Sequence, residues 1–537
     1  MRIAVAQLNL HIGNFEKNEE KIIAHIKKAE TESAEIIIFP ELSVCGYPAE
    51  DLLNFDSFIQ AAERSAEHIA KACTKVAAIV GVPHKNNQEK GKPLYNAAYF
   101  LAEGEIKSKH FKSLLPNTDI FDESRYFKSA SKVSCIHYQG KKIALTICED
   151  LWENHPQQPP MESLINEKPD IIVNISASPF SFNHIERRSK IFSAKALKYN
   201  TPICVVNQVG AHADLIFDGG SAFYSKKGEI FKQLAFFKED FLTFDSSEKM
   251  TQLKKEPLEK YSLIEKALTL GIKDYFGKLN FKKATLGLSG GIDSALVMVL
   301  AVKALGAKNV KPLLLPSQFS SEHSVTDAIE LCKNLGCDYH IIQITPVYKA
   351  FEQQLEDIFK GQSFDVTEEN IQSRIRGTLL MAQSNKFGDI LLNSSNKSEL
   401  AVGYGTLYGD MAGGLSVLGD LYKTEVYELS RFLNREKEII PNHIIEKPPS
   451  AELRPNQKDS DSLPDYDVLD NILHAYIELE KDAQEVISTA KSATVANRVI
   501  KLVNQSEYKR SQTMPILRVS DKGFGRGRKM PLVAYFP

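Results

Sequence analysis

A glycine-rich loop between a short apolar strand and a helix is the most informative chemical feature of this sequence. It lies within residues 284–297, Ala-Thr-Leu-Gly-Leu-Ser-Gly-Gly-Ile-Asp-Ser-Ala-Leu-Val. Because Ser289, Gly290 and Gly291 carry little or no side chain, their backbone N–H groups can approach a polyphosphate, and the following helix adds its free donors and positive dipole end. Asp293 would then meet a metal ion. The loop lacks the Gly-Lys-[Ser/Thr] ending of a Walker loop, so a chemistry other than γ-phosphate transfer is expected.

A second group of chemically suggestive residues lies near the ends of predicted strands in the first half of the chain. Glu41 and Cys148 come at the ends of apolar runs, and Lys112 lies in or just after the strand around Ile106. Sheet enzymes gather their chemistry at strand ends. A cysteine attacks a carboxamide only as a thiolate, so it needs a cation to lower its pKa and a carboxylate to accept its proton. Singly, these residues could be a turn cap, a core residue and a solvated charge; together they predict a nucleophilic site.

The elements that must position these residues divide the chain near residue 255. Residues 245–257 are polar and charged without an apolar period, which is typical of a linker. A chain of 537 residues also exceeds what one hydrophobic core normally supports. We therefore expect two domains, residues 1–255 and residues 256–537.

Short β-rich runs recur upstream of the linker. They are Ile3 to Ala6, Ile36 to Phe39, Val76 to Val82, Leu94 to Leu101, Ile143 to Cys148, Ile171 to Ile175 and Ile203 to Asn207. Helical stretches such as Glu19 to Glu30 and Ile185 to Tyr199 join some of them, and tight turns join others. This mixture predicts an α/β sandwich.

Downstream of the linker, helices and strands alternate more regularly. Strands are expected near residues 285, 313, 341 and 391, with helices at 294–306, 322–335 and 369–387. Such alternation predicts a doubly wound parallel sheet. A helical tail is expected from Asp467 to Asn504.

Composition narrows the classes of function. Hydrophobic residues make up 43% of the chain and charged residues 25%, as in an ordinary globular protein. Lys and Arg number 66 against 68 Asp and Glu, so no basic excess indicates a nucleic-acid or membrane partner. No apolar run approaches 18 residues and the first residues look like a strand, so a cytoplasmic protein is expected. Seven scattered cysteines favour neither a disulfide framework nor a zinc ribbon.

The motifs of both halves resemble known families. Ser-Gly-Gly-Ile-Asp-Ser resembles the pyrophosphate loop of the ATP pyrophosphatases, which release PPi and place AMP on a substrate oxygen. The upstream motifs resemble the nitrilase, or carbon–nitrogen hydrolase, superfamily in its glutamine amidohydrolase form: Phe39-Pro40-Glu41-Leu42, Leu115-Pro116-Asn117, Ile147-Cys148-Glu149-Asp150-Leu151-Trp152 and Ser176-Ala177-Ser178-Pro179. Together with ordered motifs downstream, such as Asn396-Lys397-Ser398-Glu399 and Lys447-Pro448-Pro449-Ser450, the whole chain resembles the glutamine-dependent NAD⁺ synthetase family.

The resemblance implies an α/β fold in two parts. The first is a nitrilase-like α-β-β-α sandwich, and the second is a Rossmann-like doubly wound parallel sheet of the ATP pyrophosphatase type with a helical tail. It also implies functional residues: Glu41, Lys112 and Cys148 for glutaminase catalysis; Thr118, Ser178 and Arg188 for glutamine; Gly287, Ser289, Gly290, Gly291, Asp293, Ser294 and Ser317 for ATP; Asn370, Arg374, Asp410 and Lys423 for deamido-NAD⁺; and Asp293 and Glu399 for Mg²⁺. For Arg188, the neighbouring Arg187 leaves the register open by one residue.

The implied chemistry joins two reactions. Glu41 would deprotonate Cys148, whose thiolate attacks the side-chain amide of L-glutamine, while Lys112 steadies the oxyanion. In the second half, the carboxylate of deamido-NAD⁺ would attack the α-phosphate of the cosubstrate ATP, releasing PPi, and ammonia would convert the acyl-adenylate to the amide. Free ammonia in neutral water is mostly protonated, so an enclosed path and a homo-oligomer are expected.

Departures from the family pattern and rival functions also follow from the sequence. Thr118 stands where the family often has tyrosine, Ser394-Ser395 where it has Thr-Gly, and Asp459-Ser460-Asp461 where it has Asp-Glu-Asp. Glutamine-fed pyrophosphatases that amidate GMP precursors or aspartate use other glutaminase domains, one with a cysteine at position 2, and residue 2 is Arg here. A tRNA-thiolating enzyme would want paired cysteines and a basic surface. A scaffold with degenerate sites is the non-enzymatic alternative.

Overall fold

The chain divides into two compact units, Met1–Pro257 and Leu258–Pro537. A computed structural model describes residues 1–87, 91–152, 160–248, 253, 258–455 and 457–534. Most of the second half of the predicted linker lies outside these residues, and its first residue, Asp245, ends a strand. Within the described ranges, no helix is long and apolar enough to cross a membrane.

The first unit is built of strands β1 to β14 and helices α1 to α4. The strands are Arg2–Gln7, Ile36–Ile38, Ala77–Lys85, Leu94–Ala102, Glu105–Phe111, Ile136–Tyr138, Lys141–Ile147, Ile171–Ser176, Ile203–Asn207, Val209–His212, Leu215–Asp218, Ala222–Tyr224, Ile230–Gln233 and Asp240–Asp245. The helices are Phe15–Thr31, Asp56–Ala72, Pro160–Asn166 and His184–Tyr199. One six-stranded sheet has the order β14-β1-β2-β3-β4-β5 and the other β13-β12-β9-β8-β7-β6, while β10 and β11 form a hairpin.

Alternation along the strands explains the four layers of this unit. In β2, Ile36 and Ile38 pack in the core between the two sheets, whereas Ile37 packs in a second core with residues of α1 and α2. In β8, Ile171 joins the core between the sheets, whereas Ile172 packs with residues of α3 and α4. Successive side chains of a strand point to opposite faces, so both sheets bury both faces. The predicted α-β-β-α sandwich is therefore confirmed.

The second unit is built around a five-stranded parallel sheet. Strands β15 to β19 are Ala284–Gly287, Val310–Leu314, His340–Ile341, Ile390–Asn393 and Leu415–Ser416. Helices α5 to α16 are Lys260–Lys278, Ile292–Leu305, Glu322–Leu335, Thr345–Leu355, Val366–Phe387, Lys397–Val402, Lys423–Asn434, Asn442–Glu446, Tyr466–Leu473, Ala483–Thr489, Ala493–Gln505 and Glu507–Arg510.

The strand order β17-β16-β15-β18-β19 creates a place for a ligand. Every strand pair in this sheet is parallel. The order runs outward in both directions from β15 and β18, so the chain connections on either side of this pair diverge. Ligands of doubly wound sheets bind in the crevice at the carboxyl ends of such a strand pair. The predicted doubly wound sheet is confirmed, and its crevice lies beside the glycine loop that follows β15.

The helical tail expected between Asp467 and Asn504 consists of several helical segments. Helix α13 continues into a π-helical turn, His474–Glu478, and two separate helices, α14 and α15, follow. The side chain of Asp482 accepts a hydrogen bond from Gln484 N at 2.9 Å, and the side chain of Ser492 accepts one from Val495 N at 3.4 Å. These N-caps mark where α14 and α15 begin.

Gly81 in β3 allows the chain segment that carries Glu41 to lie against the sheet. A Cβ at position 81 would stand 2.0 Å from Leu42 N and 2.7 Å from the carbonyl carbon of Glu41. Real Cβ atoms do not approach backbone atoms so closely, so glycine is required at this position.

We expect Gly81→Ala to destabilise the first unit by about 1–3 kcal/mol, because the backbone after β2 must move to accept the methyl group. Thermal unfolding of the full chain measures the effect. Gly277→Ala is the matched control, since a Cβ at this position in α5 meets nothing within 4 Å and alanine favours helix. Equal unfolding temperatures for Gly81→Ala and the unmodified chain would contradict the contact.

Candidate active sites

Cys148 stands at a strained turn directly after strand β7. Its φ is +44°, in the left-handed region that residues with a Cβ rarely adopt. A short 3₁₀ turn, Cys148–Leu151, begins there. The carbonyl of Cys148 accepts a hydrogen bond from Asn174 Nδ2 on neighbouring β8 at 3.1 Å. Only 4% of Cys148 is exposed, so the turn fixes a buried thiol at the carboxyl end of its strand.

Glu41 and Lys112 form a buried ion pair. Glu41 follows β2 and Lys112 follows β5 directly, and neither is more than 1% exposed. The distance from Lys112 Nζ to Glu41 Oε1 is 2.8 Å. The same oxygen accepts a hydrogen bond from Asn96 Nδ2 at 2.8 Å, and Oε2 accepts one from Ala177 N at 2.9 Å. Three donors therefore hold the Glu41 carboxylate in place.

A second carboxylate, that of Glu123, shares the Lys112 ammonium. Glu123 Oε1 lies 2.8 Å from Lys112 Nζ and accepts a hydrogen bond from Tyr47 OH at 3.1 Å. Its other oxygen, Oε2, is buried with no hydrogen-bond partner among the described residues. Burial raises the pKa of Glu123 to about 7, although Lys112 lowers it. Sequence reasoning missed Glu123, because it lies in a short 3₁₀ turn, Glu123–Arg125, outside the motifs. No pattern in the sequence marks it.

Burial and nearby negative charge disfavour the thiolate form of Cys148. Burial, followed by the Glu41 carboxylate, raises the pKa of Cys148 well above its ordinary value, and Lys112 opposes this only in part. Burial lowers the pKa of Lys112, but the Glu123 and Glu41 carboxylates outweigh it and the pKa lies well above its ordinary value. The structure thus brings Glu41, Lys112 and Cys148 into one electrostatic group, in which a thiolate forms only as a base takes the proton.

Asp150 fastens the turn of Cys148 to the segment after Lys112. Its Oδ1 accepts hydrogen bonds from Ser113 N at 2.9 Å and Leu114 N at 2.8 Å. Its Oδ2 accepts one from Ile147 N at 3.1 Å. One buried carboxylate therefore fixes the spacing between the thiol and the lysine.

The residues predicted to bind glutamine lie in different surroundings. Thr118 is exposed. Ser178 N donates to Asn207 Oδ1 at 2.9 Å, and Asn207 Nδ2 donates to Asp218 Oδ1 at 3.4 Å. Arg188 donates to both oxygens of Asp218, at 2.9 and 2.5 Å. Ser178 and Arg188 therefore belong to one buried network.

Arg188, predicted to bind the glutamine carboxylate, is paired with Asp218 in this structure. Burial lowers its pKa, but Asp218 outweighs the burial and the pKa lies above its ordinary value. A bidentate pair with a carboxylate uses the donors that would otherwise meet a substrate in the same way. Arg187 is exposed, which settles that Arg188 is the buried member of the two.

The second unit contains a cavity of about 290 Å³ that includes the carboxyl ends of β15 and β18. Five of the residues predicted for ATP line it, namely Gly287, Ser289, Gly291, Asp293 and Ser294. Gly290 and Ser317 are not among its described lining residues. Ser317 Oγ instead accepts a hydrogen bond from Phe319 N at 3.2 Å, within its own turn.

Gly290 shapes the loop without lining the cavity. Its φ is +77°, and a Cβ would stand 2.2 Å from Ser324 O, so a side chain is excluded. The hydroxyls of Ser289 and Ser294 lie 3.1 Å apart, and Gly291 N donates to Ser289 Oγ at 3.2 Å. The first N–H groups of α6, which starts after Gly291, have no partners within the helix. The loop can therefore bind an anion through its backbone.

A buried lysine lies beside Asp293 and Glu399. Lys423 Nζ lies 2.5 Å from Asp293 Oδ2 and 3.5 Å from Glu399 Oε1. Asp293 Oδ1 accepts a hydrogen bond from Asn396 Nδ2 at 2.9 Å. Burial raises the pKa of Glu399 to about 8; Asp293 adds to the rise and Lys423 opposes it. The two carboxylates thus occupy a site that favours added positive charge.

Asp459 adds a third carboxylate to the cavity wall. It accepts hydrogen bonds from Tyr466 OH at 2.9 Å and Tyr404 OH at 3.3 Å. Burial raises its pKa, and Lys423 lowers it in part. In the segment Asp459-Ser460-Asp461, the first residue therefore faces the cavity, and Asp461 accepts from Lys458 N at 3.1 Å instead.

The donors fit a magnesium ion that arrives with ATP. Among the described residues, no cluster of three or more His, Cys, Asp or Glu side chains could hold a metal ion. Mg²⁺ nevertheless binds by one or two carboxylates together with substrate phosphates, and Asp293 and Glu399 supply such oxygens. Lys423 pairs with both carboxylates and balances the charge of only one. The described residues alone therefore do not form a complete metal cage.

Two residues predicted for the dinucleotide lie away from the cavity lining. Asn370 Oδ1 accepts a hydrogen bond from Thr406 Oγ1 at 2.7 Å. Arg374 is exposed, and its Nε donates to Leu407 O at 3.3 Å. Both side chains thus contact the loop of Thr406 and Leu407. Neither is among the described residues that line the cavity.

Asp410 and Lys423, the other predicted dinucleotide residues, line the cavity together with Arg376. Arg376 was missed by sequence reasoning, which favoured Arg374. Its Nε donates to Leu315 O at 3.0 Å, and burial lowers its pKa to about 10. A partly buried guanidinium in the wall is a candidate contact for a phosphate or carboxylate.

Comparisons with known proteins agree with both units. The carbon–nitrogen hydrolase family model matches residues 2–255, and the NAD synthase model matches residues 264–513. A relative from Synechocystis sp. is 46% identical over 99% of both chains, and one from Thermotoga maritima is 38% identical over 100% of this chain and 99% of its own. Each is named glutamine-dependent NAD(+) synthetase.

A solved structure is similar across the same length. The glutamine-dependent NAD⁺ synthetase from Acinetobacter baumannii, in complex with ADP, is 38% identical, with a TM-score of 0.79 over 99% of this chain and 98% of its own. The two family models, the full-length relatives and the two sites agree: the chain belongs to the glutamine-dependent NAD⁺ synthetase family.

Proposed function

We propose that this chain hydrolyses L-glutamine to glutamate and ammonia, and uses ATP and that ammonia to convert deamido-NAD⁺ to NAD⁺ with release of AMP and PPi. The observation that carries the proposal is the presence in one chain of two different sites: a buried thiol grouped with Glu41, Lys112 and Glu123, and a phosphate-binding loop with an acidic residue, Asp293, at a sheet crevice. The names of the full-length relatives support the same reaction.

In the first reaction, Glu41 takes the proton of Cys148 as the sulfur attacks the carboxamide carbon of glutamine. The thiol is protonated at rest, so proton removal and attack are coupled. Lys112 uses two donors on Glu41 and Glu123, and its third N–H is available to the oxyanion of the tetrahedral intermediate. The C–N bond breaks as Glu41 returns its proton to the leaving nitrogen. Water then hydrolyses the thioester with Glu41 as base.

In the second reaction, a carboxylate oxygen of deamido-NAD⁺ forms a bond to the α-phosphorus of ATP and the bond to PPi breaks. The backbone N–H groups at the start of α6 receive the leaving PPi, and Lys423 and Arg376 supply positive charge in the cavity wall. Asp293 and Glu399 would hold Mg²⁺, which neutralises phosphate charge when bound. Ammonia then attacks the acyl carbon, and AMP leaves.

The finer assignments belong to the same proposal. Asp410 and Arg376 would contact nucleotide or dinucleotide groups in the cavity, while Asn370 and Arg374 would shape its rim through the loop they brace. Ser178 would bind glutamine, with Arg188 and Asp218 orienting it through Asn207. The exposed Thr118 cannot supply the aromatic wall that a tyrosine would.

A cytoplasmic location and a homo-oligomer are proposed on sequence grounds. Amidation needs neutral NH₃, because ammonium has no free electron pair to attack the adenylate. An enzyme with separate glutaminase and synthetase sites gains by keeping NH₃ from bulk water, and assembly is one way to enclose its path. Sedimentation at assay concentration measures the oligomeric state.

The direct test of the function is an assay with ATP, glutamine and each candidate carboxylic acid, in which AMP and amide are followed together. We expect stoichiometric AMP and NAD⁺ with deamido-NAD⁺, and no amide with aspartate or with the acid precursor of GMP. Amidation of another acid at a higher rate would overturn the substrate assignment. Absence of AMP formation with every acid would favour a scaffold with degenerate sites.

We expect Cys148→Ala to abolish glutamine-dependent NAD⁺ synthesis and to leave ammonium-dependent synthesis intact, because only the sulfur can form the glutamyl thioester. The two rates are measured on the same preparation, at a pH that supplies free NH₃. Cys204→Ala is the matched control, since Cys204 is as buried as Cys148 but lies within β9. Glutamine-dependent activity in folded Cys148→Ala protein would refute the nucleophile.

We expect Glu123→Gln to lower the glutaminase rate by about 10- to 100-fold, the range that a charged hydrogen bond of roughly 1.5–3 kcal/mol supplies. Below about pH 7 Glu123 is protonated, so the Lys112 ammonium pairs with the Glu41 carboxylate only. This stronger pairing makes Glu41 a weaker base. Glutaminase kcat/KM should therefore rise with pH through about 7 in the unmodified chain, and this rise should disappear in Glu123→Gln. An unchanged pH profile in the variant would show that Glu123 does not govern it. Glu167→Gln serves as the control carboxylate of the same unit.

We expect Asp293→Asn to abolish AMP formation with either nitrogen source, because the phosphate-bound metal loses a charged ligand, while glutaminase activity continues. Asp327→Asn is the matched control, because Asp327 is a buried carboxylate of α7 that does not line the cavity. Normal AMP formation by Asp293→Asn would show that Asp293 is not a required metal ligand.

A further inference from the structure

The short helix α10 carries residues of the ATP cavity. Asn396 N-caps it and donates to Asp293, and Glu399 lies 3.5 Å from Lys423 Nζ. Ser398 Oγ accepts a hydrogen bond from Lys423 N at 2.9 Å. A helix of six residues does not form stably on its own. Contacts from the rest of the unit must therefore set the positions of Asn396 and Glu399.

Lys397, the first residue of α10, has no exposed surface. Its ammonium binds residues outside this helix. Its Nζ lies 2.7 Å from Glu478 Oε1, 2.8 Å from Ser520 Oγ and 2.8 Å from Lys522 O. It also lies 3.0 Å from Asp420 Oδ1. The ammonium thus uses all of its donors, and none of these partners lines the cavity.

The C-terminal segment Pro515–Lys522 is fixed by the same group. Asp420 Oδ2 accepts hydrogen bonds from Val519 N at 2.8 Å and Ser520 N at 2.7 Å. Asp420 Oδ1 accepts one from Ser520 Oγ at 2.8 Å. One parallel bridge between Ser416 and Ile516 joins the segment to β19, and Leu517 N donates to Ser416 O at 3.1 Å. The segment is therefore fixed to the edge strand of the sheet.

The other end of α10 is fastened by the same part of the chain. Arg510 Nη1 donates to Ala401 O at 2.5 Å and to Leu400 O at 3.2 Å. Lys509 Nζ donates to Gly403 O at 2.8 Å. The final carbonyls of α10, which lack partners within the helix, are thus bound by cationic side chains. Both ends of the helix depend on residues 509–522.

We propose that Lys397 is a positioning residue of the ATP site, and that the segment Pro515–Lys522 is part of the framework that sets Asn396 and Glu399 against Asp293 and Lys423. The inference rests on the proposed adenylation reaction. Lys397 touches no reacting group; it acts through the first turn of α10. Loss of the Lys397 contacts should lower the rate of adenylation, because the Asp293 and Glu399 carboxylates must be correctly placed when PPi leaves.

The test uses Ser520→Ala in the full chain, because it removes the hydroxyl that joins Lys397 to Asp420 without leaving a buried charge unpaired. We expect kcat for ammonium-dependent AMP formation to fall about tenfold, because Asn396 and Glu399 lose part of what fixes their positions. The KM for ATP should change less than about twofold. Amide hydrogen exchange at residues 394–403 should become faster.

Ser430→Ala is the matched control. Ser430 is a fully buried hydroxyl in α11 that bonds to its own helix, at 2.8 Å from Val426 O. In this variant we expect kcat for AMP formation, and amide hydrogen exchange at residues 394–403, to equal those of the unmodified chain. The proposal would be overturned if Ser520→Ala changed neither quantity, or if both variants lost kcat equally.

Lys397→Met provides a stronger perturbation. We expect at least a hundredfold loss of kcat for AMP formation with glutaminase activity retained, because the glutaminase site belongs to the other unit. Thermal unfolding of the variant reports whether the second unit is folded. If Lys397→Met fails to fold, Ser520→Ala decides. Failure of the proposed function is distinguishable, since it appears in the unmodified chain as absence of AMP formation; the exchange measurement then decides the positioning role alone.

Discussion

A buried lysine ammonium shared by two carboxylates is the interaction on which both sites of this chain depend. Lys112 lies between Glu41 and Glu123, Lys423 beside Asp293 and Glu399, and Lys397 between Asp420 and Glu478. Removing one partner from such a group typically costs about 3–5 kcal/mol, because a charge is left buried without compensation. The groups therefore hold chain segments that are far apart in sequence at fixed separations, which hydrophobic packing alone does not specify.

The three groups differ in what they leave unsatisfied. The group of Lys397 is complete, with each donor of the ammonium matched, and it serves the position of a helix. In the group of Lys112, one oxygen of Glu123 has no hydrogen-bond partner among the described residues. The group of Lys423 has two carboxylates for one cation and raises the pKa of Glu399 to about 8. A substrate or a metal ion can bind to such unpartnered polar atoms and uncompensated charge.

Sequence reasoning succeeded where the local pattern reflects the final environment. Apolar β-branched runs such as Ile36 to Ile38 form strands buried on both faces, and the residues that follow them lie where the strands end. Glu123 could not be singled out, because an acid in a loop is solvated by default and only long-range packing buries it. Arg374 and Arg376 show a further limit: residues two apart lie on nearly opposite faces of a helix, so the rotation of α9 decides which one reaches the cavity.

The protonated state of Cys148 has a consequence for chemical selectivity. Peroxides and alkylating agents react with thiolates far faster than with thiols, and burial denies them access in addition. In the proposed reaction the sulfur would ionise only while its base and an amide substrate are both in place. Low reactivity of the resting thiol toward such reagents thus follows from the same combination of burial and nearby negative charge that raises its pKa.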